Sequence, residues 1–457
     1  MRFLLVASLS ILGIAASTPG RAADPDPASL VKQLGSKRFP EREAAATALM
    51  ALGREALPAL RGARDGKDIE FQRRVTDLIR TIEGRELTRP TLVTLDFRDR
   101  PMSEVIREIS GQTGFPLTIY ERQVDWLSQK ITLREPIPLP FWKAIDRICE
   151  AGDFQYNLAS GQGGATVALF KNDRSGPSSD VGIFRVQIEA IYYKGRYQLL
   201  HLGRDQPSIP IYREEDRSNS HIRMRVMVEP RMLIRSAGKP KPFEIVDDLG
   251  QSLLATDPTI EQPDDDRRYS LWELVQVPLK RVDQPGKVIR KLRGIAPVSV
   301  AARRARSLDI PLADSVGRSF PSDEAILTIR GVREIVPNFK VTIGPDDQVQ
   351  ERERPEPRAT EIELTLMPID GRGITKDLSE DQFEILDADG RVWKPSPWWL
   401  SGTKPQTRDG ETHIRLIPVD NNLSPWRGDF AEAKLRYYET IVLNVDVPFE
   451  FSNLFLP

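Results

Sequence analysis

Cysteine is almost absent from this chain of 457 residues, which contains only Cys149. One cysteine cannot form an intramolecular disulfide, so the small disulfide-rich classes of secreted protein are excluded. Ordinary hydrophobic cores must hold the fold, and a chain of this length with 40% hydrophobic residues supplies several. Cys149 shares an apolar helical stripe with Phe141, Ile145 and Ile148, a pattern typical of a buried cysteine.

The chain also lacks an excess of charge of either sign. It has 65 Lys and Arg against 66 Asp and Glu, a formal charge of −1. No basic surface for nucleic acid follows from that balance, so no nucleic-acid partner is predicted. The three histidines, His201, His221 and His413, are not spaced as metal ligands, and no Gly-x-Ser-x-Gly motif occurs. The sequence therefore predicts no catalytic residue, no metal and no cofactor.

Long apolar runs are missing after residue 23. At the N-terminus, Met1 and Arg2 precede an apolar stretch from Phe3 to Ala16, and small residues follow around Ala22. This order predicts a signal peptide over residues 1–22 that is cleaved on export. A retained anchor would need roughly 20 apolar residues. We therefore expect a protein that is not membrane-embedded and lies in the periplasm, at the cell surface or outside a bacterium.

Apolar residues recur at three- and four-residue spacing over 24–88, which predicts short helices. The run from Phe39 to Ala46, followed by Leu49 and by Ala56 to Leu60, resembles a HEAT-type helical repeat. A second, weaker match runs from Asp68 to Ile79. Two repeats are fewer than a self-standing solenoid needs, so we expect these helices either to pack on the next domain or to serve as a small docking surface.

The period changes over residues 90–171, where strands and helices follow in the predicted order β-α-β-β-α-β-β. This segment resembles the short N-terminal domain of secretins and TonB-dependent receptors. The resemblance is carried by Val93 to Phe97, Pro101 to Ile106, Thr113 and Gly114, and Pro140 to Gly152. It implies a small α+β domain that contacts partner proteins in the envelope. The rest of the chain does not continue as in that family, so its transport role is not carried over.

The C-terminal half repeats itself. The stretch from Phe243 to Gln251 returns as Phe383 to Arg391, and each copy reads as a strand, an acidic turn closed by glycine and a second strand. We predict two immunoglobulin-like β-sandwiches at 181–312 and 324–457. Segments 172–180 and 313–323 read as linkers. The predicted fold class is therefore multidomain: α, then α+β, then mostly β.

One aromatic cluster stands out as a candidate contact site. Trp393, Trp398 and Trp399 fall within seven residues, and the prolines between them restrict the backbone. They are predicted to contact a ligand or partner, with a role in the core as the alternative. Nearby, Asp387 to Gly390 begins like a calcium loop but lacks the closing glutamate, so a type I′ hairpin turn is the better interpretation.

These patterns favour a non-enzymatic, secreted envelope protein that works as an adaptor or scaffold. An envelope protein is the expected partner, and cell-wall polysaccharide is a second candidate. Two alternatives stay open at this point. One is an accessory component of a secretin-like or TonB-like system, and the other is a glycan hydrolase whose acids converge only in three dimensions.

Overall fold

The computed structural model describes most of the chain after its N-terminal segment. The described residues are 26–63, 68–119, 126–161, 164–170, 176–199, 220–255, 270–322, 325–335, 359–369, 378, 382–396, 405–408, 410–420, 425–426, 428 and 430–457. They divide into two compact units, one ending at Thr88 and one running from Arg89 to Pro457. Within these ranges, no helix is long and apolar enough to cross a bilayer. The predicted signal peptide lies outside the described residues.

The first unit is helical, which confirms the prediction of a helical N-terminal region. Its helices are α1 (Pro27–Leu34), α2 (Phe39–Leu52), a 3-10 turn (Gly53–Ala56), α3 (Leu57–Gly62) and α4 (Ile69–Thr88). The Asp26 carboxylate caps α1 by accepting hydrogen bonds from the backbone N–H groups of Ala28 and Ser29. The periodic apolar residues form one core, including Leu34, Leu49, Leu60, Val75 and Ile82. The resemblance to HEAT repeats stays a prediction.

The second unit begins with residues 89–170, called here the α+β segment. Its elements are β1 (Leu92–Val93), β2 (Asp96–Pro101), α5 (Met102–Thr113), β3 (Leu117–Ile119), β4 (Lys130–Arg134), β5 (Leu139–Pro140), α6 (Phe141–Gly152), β6 (Gln155–Gly161) and β7 (Gly164–Phe170). They form three small sheets: β1 with β5, β2 with β4, and β3-β7-β6. The predicted order β-α-β-β-α-β-β differs in two places: the first predicted strand is divided into β1 and β2, and the short strand β5 precedes α6. The resemblance to the secretin and TonB domain stays a prediction.

The rest of the unit is almost entirely β, as predicted. We call the strands that surround the first repeated stretch the first copy and those that surround the second stretch the second copy. The first copy consists of β8 (Ser178–Val181), β9 (Phe184–Tyr193), β10 (Arg196–Leu199), β11 (His221–Val228), β12 (Leu233–Ala237), β13 (Lys241–Asp247), β14 (Trp272–Pro278) and β15 (Val288–Pro311). The second copy consists of β16 (Ser319–Pro321), β17 (Ala325–Ile335), β18 (Ala359–Pro368), β19 (Phe383–Leu386), β20 (Val392–Pro395), β21 (Gln406–Arg408), β22 (Glu411–Leu416), β23 (Pro418–Val419) and β24 (Lys434–Phe455).

These strands form three sheets. The first sheet, β10-β9-β11-β14 with β8 added on β9, belongs to the first copy. The second sheet, β16-β17-β18-β22-β21, belongs to the second copy. The shared sheet runs β12-β15-β24-β19-β20-β23, with β13 also paired to β15, and takes strands from both copies. Two separate sandwiches are therefore not what the described strands form, and the predicted linkers also contribute strands, β8 and β16.

The duplication extends well beyond the repeated sequence. A β-bulge interrupts the pairing of β9 with β11 at Glu189, and another interrupts the pairing of β17 with β18 at Arg330. Both bulged residues occupy the same position counted from the first residue of their strand. The matching bulges indicate that β9 and β11 of the first copy correspond to β17 and β18 of the second.

The repeated acidic turns are also equivalent in detail. The Asp247 Oδ1 atom accepts hydrogen bonds from the N–H groups of residues 249 and 251, and Asp387 Oδ1 accepts them from residues 389 and 391. Gly250 and Gly390 close the turns with φ of 79° and 76°. Asp389, which precedes the second of these glycines, does not have positive φ. The predicted type I′ turn is therefore wrong, because that turn needs positive φ at both central residues.

The shared sheet joins the copies by an internal two-fold relation. In its centre β15 pairs antiparallel with β24, from Val288 opposite Phe455 to Pro311 opposite Lys434. On one flank β13 pairs with β15, and on the other β19 pairs with β24. The order of these four strands is therefore the same from either flank: the strand before the acidic turn, a long strand, the other long strand, and the strand before the other acidic turn.

The axis of this relation passes between Val300 and Leu443, which are paired with each other. Leu292 and Leu435 are equivalent, since they face the repeated strands β13 and β19 at matching positions. Val300 and Leu443 are separated by the same number of residues as Leu292 and Leu435. The first half of each long strand therefore belongs to its own copy, and the second half extends into the other copy.

Candidate functional site

The α+β segment packs on the outer face of the first sheet, the face turned away from Ile222, Met224 and Val226. Its hydrophobic core continues into Met227 and Leu271 of the first copy, with Trp272 packed against it. Two indole N–H groups donate across the contact: Trp142 to the carbonyl of Ile183 at 2.9 Å, and Trp272 to that of Leu158 at 3.3 Å. Segment 172–180 therefore does not uncouple the two parts.

A buried arginine lies at the centre of this contact. The Arg185 guanidinium donates to both carboxylate oxygens of Asp146 at 2.6 and 2.7 Å and to both of Asp180 at the same distances. It also donates to the Tyr156 hydroxyl at 3.0 Å and lies 5.2 Å from the centre of the Trp142 ring. Burial by itself lowers the pKa of Arg185, but Tyr156 and the two aspartates outweigh it and raise that pKa.

A buried glutamate closes the same contact at its other end. The Glu229 carboxylate accepts hydrogen bonds from the Thr91 N–H at 3.0 Å and from the Thr91 hydroxyl at 2.6 Å, and it pairs with Arg231. Arg231 in turn donates to the Arg89 carbonyl. Burial raises the pKa of Glu229, although Thr91 and Arg231 oppose that shift. These hydrogen bonds thus attach the start of the α+β segment to the first copy.

The raised pKa of Glu229 gives a testable pH dependence. A carboxyl whose pKa is higher in the folded state contributes stability that is full below its unfolded pKa, about 4.3, and is lost as the pH rises through the folded pKa. Glu229→Gln has no such titration. We therefore expect the stability of the variant, measured as the urea midpoint, to improve relative to the natural protein between pH 4 and pH 7.

Glu450 supplies a control of opposite sign, because the hydrogen bond from Arg293 lowers its pKa. Its stabilising contribution is present above the unfolded pKa and is lost as the pH falls through the folded one. Glu450→Gln should therefore lose stability relative to the natural protein as the pH rises. A pH-independent difference between the natural protein and Glu229→Gln contradicts the assignment.

The second copy presents the matching face without such a cover among the described residues. The first residues of β9 and β17 pair with Val228 and Pro368, so Val228 and Pro368 occupy the same position in the two copies. Their neighbours Met227 and Glu229 therefore correspond to Met367 and Ile369. Met367 is 42% exposed and Ile369 is 57% exposed. Ile326 pairs directly with Met367 and takes the position of Arg185. We call Ile326, Met367 and Ile369 the apolar end of the second sheet.

Charged side chains cover the remainder of that face. Arg330 pairs with Glu411 at 2.7 Å and also donates to the Thr365 hydroxyl. Arg333 pairs with Glu361 at 2.6 Å. These ion pairs leave the apolar end as the part of the face on which burial under a partner would be favourable.

The structure accounts for one of the three predicted tryptophans. The Trp393 indole donates to Asp387 Oδ2 at 2.9 Å, its ring lies 4.3 Å from the Arg391 guanidinium, and it packs against the core of the second copy. The bond from Trp393 lowers the pKa of Asp387, as do backbone N–H groups. Trp393 therefore braces the acidic turn. Trp398 and Trp399 lie outside the described residues.

Sequence reasoning did not single out Arg185, Met367 or Ile369. Their importance depends on the register of β9, β11, β17 and β18, and register shows only in the folded chain. His221 is buried and stacks on Tyr192 with ring centres 4.5 Å apart, and His413 lies on β22. Across the described ranges, no three His, Cys, Asp or Glu side chains lie close enough together to hold a metal ion. His201 falls outside those ranges.

The two outer faces therefore make up the candidate site: one carries an intramolecular domain contact, and its counterpart is open among the described residues. Both faces are formed by hydrogen-bonded strands, which suits them to contact another folded surface. Searches with protein-family models, among curated proteins and among solved structures find no match to this chain.

Proposed function

We propose that the protein is a non-enzymatic scaffold of the bacterial envelope that binds a partner protein at the apolar end of the second sheet. One observation carries the proposal. The first copy uses this end of its sheet to hold the α+β segment, and the second copy exposes Met367 and Ile369 at the equivalent positions.

The expected occupant is a folded domain with an apolar surface of its own. In the second copy Ile326 replaces Arg185 and Ile369 replaces Glu229, so the charged groups that hold the α+β segment have no counterparts here. Burying apolar area contributes about 25 cal/mol per Å², and such contacts dominate association where charges are absent.

The export of this scaffold through a signal peptide at 1–22 belongs to the same proposal. So do the HEAT-type character of 24–88 and the secretin- or TonB-type character of 90–171. Each supports a protein whose segments make contacts in the envelope. The linkers, the two sandwiches and the tryptophan contact of the sequence interpretation are not needed for it.

Site-specific photocrosslinking in the producing bacterium tests the proposal. A photoreactive residue at position 367 should give one discrete crosslinked partner, identified by mass spectrometry. The same residue at the exposed Leu249 position of the first copy serves as the control and should not capture that protein.

The contact is then broken by Met367→Asp combined with Ile369→Asp, read with the photoreactive residue at 326. Loss of the same partner, with Cys149 still protected from thiol reagents, supports the scaffold function. Unchanged capture, or no capture from position 367 in cells that express the protein normally, overturns it.

A further inference from the structure

A second polar group lies on the outer face of the first sheet, beyond the part covered by the α+β segment. Arg223 and Arg225 are two residues apart on β11, so their side chains leave the same face about 7 Å apart. Glu189 follows Arg185 and Gln187 at two-residue spacing on β9, so its carboxylate leaves the same face of the sheet. Arg223 Nε lies 3.3 Å from Glu189, and Arg225 contacts the other oxygen of the same carboxylate.

The charges of this group do not balance. The ion pairs of the described residues give the two guanidiniums a single carboxylate, Glu189, which is itself buried. The side chains of Arg223 and Arg225 are 24% and 14% exposed. An excess positive charge that is partly removed from water is costly unless another anion meets it. The face is therefore complementary to one more negative group.

Aromatic rings hold both guanidiniums in place. Arg225 lies 4.5 Å from the centre of the Trp272 ring, and Arg223 lies 5.7 Å from that of Tyr192. Stacking fixes the plane of each guanidinium, and a fixed fork loses little entropy when it binds a carboxylate. The pair is thus preorganised for a planar, compact anion.

The neighbouring arginine on the same face shows what kind of anion fits. Arg185 is held by Asp146 and Asp180, that is, by aspartate side chains from elsewhere in the chain. We propose that Arg223 and Arg225 bind a carboxylate side chain of an acidic segment of a partner protein. This site is on the first copy, so it stands or falls independently of the apolar end of the second sheet.

Calorimetry with a defined probe tests the proposal. The probe is a short capped peptide with two glutamates, and its matched control carries glutamines instead. The full-length mature protein should bind the glutamate peptide at least tenfold more tightly than the control, with affinity falling as salt is raised. Arg225→Gln should lose about tenfold in affinity, that is about 1.4 kcal/mol, because a charge-assisted hydrogen bond to the peptide carboxylate disappears.

Removing Glu189 gives the sharper result. Glu189→Gln frees both guanidiniums from their internal competitor, so the glutamate peptide should bind about five- to tenfold more tightly. A purely structural role of the cluster predicts no such gain. Arg225→Lys keeps the charge but loses the forked donor, and should bind less tightly than the natural protein.

Arg293→Gln serves as the matched control, since Arg293 pairs with Glu450 in the shared sheet and should not change peptide affinity. Protection of Cys149 from thiol reagents reports that each variant is folded. The proposal is overturned if Glu189→Gln fails to tighten binding or Arg225→Gln binds equally well. Tighter binding of inorganic phosphate or of an oligogalacturonide than of the peptide also overturns the assignment to a protein segment.

Discussion

Replacing Arg185 by alanine is expected to lower the free energy of unfolding of residues 89–457 by about 3–5 kcal/mol. The substitution leaves Asp146 and Asp180 facing each other without the cation that both carboxylates contact. It also removes the stacking on Trp142 and leaves the Tyr156 hydroxyl without this donor. Removing one partner of a buried ion pair costs far more than the pair contributes, because the remaining charge is uncompensated.

Cys149 provides the measurement. It is the only cysteine, lies one helical turn from Asp146 on α6 and is buried in the same core. Burial, joined by Asp146, raises the pKa of its thiol, so the reactive thiolate is scarce while the contact is intact. In Arg185→Ala, labelling of Cys149 by a thiol reagent should accelerate together with the fall in the urea midpoint.

Two further variants separate this mechanism from a general loss of packing. Arg293→Ala removes an arginine from an exposed pair with Glu450 and should lower the free energy of unfolding far less than Arg185→Ala does. Arg185→Leu combined with Asp146→Asn and Asp180→Asn removes all three charges and should recover much of the loss. Equal destabilisation by Arg185→Ala and Arg293→Ala would contradict the central role of Arg185.

Val300→Asp is expected to destabilise both β copies at once. Val300 is fully buried at the internal axis, where β15 pairs with β24 on one side and with β12 on the other. An unpaired carboxylate at such a position costs several kcal/mol or becomes protonated at similar cost. The hydrogen bonds between β15 and β24 belong to both copies. Disrupting them should therefore destabilise the shared sheet in each copy.

Urea unfolding followed by two probes checks this expectation. Cys149 reactivity reports on the α+β segment and the first copy, and tryptophan fluorescence includes Trp426 in the core of the second. Both transitions should move to lower urea together. The matched control is Val392→Asp on exposed β20, which should change stability by less than about 0.5 kcal/mol. A shift in only one of the two probes would show that the copies unfold independently.

The local elements were accessible to sequence reasoning. The two helices predicted for the α+β segment are present as α5 and α6, because their apolar residues keep the helical period and Gly114 ends the first of them with positive φ. The repeated acidic stretch correctly indicated a duplication, since the aspartate and glycine of the turn have the same roles in both copies.

The same repeat shows the limit of such reasoning. Phe243 and Phe383 begin the two copies of the repeated stretch, yet Phe383 is buried in the core and Phe243 is 60% exposed. The difference arises because Phe243 is the extra residue of a bulge between β13 and β15. Nothing in the motif itself encodes the bulge, which depends on a partner strand distant in sequence.

The shared sheet and the candidate site were missed for the same reason. Strand pairing between β15 and β24 joins residues far apart in the chain, and alternation predicts a buried face without naming its partner. Met367 and Ile369 do not stand out in the sequence until strand register shows that they correspond to Met227 and Glu229. Trp393 was predicted as a contact residue, and only its bond to Asp387 shows that its indole is already engaged.

The two-fold relation about Val300 and Leu443 has a consequence for how the two faces acquired different chemistry. When two identical chains pair about such an axis, every substitution appears on both sides at once. Within one continuous chain the halves mutate separately. The bulged residue is acidic in one half and basic in the other, Glu189 against Arg330, so a single chain presents two distinct surfaces at positions related by the axis.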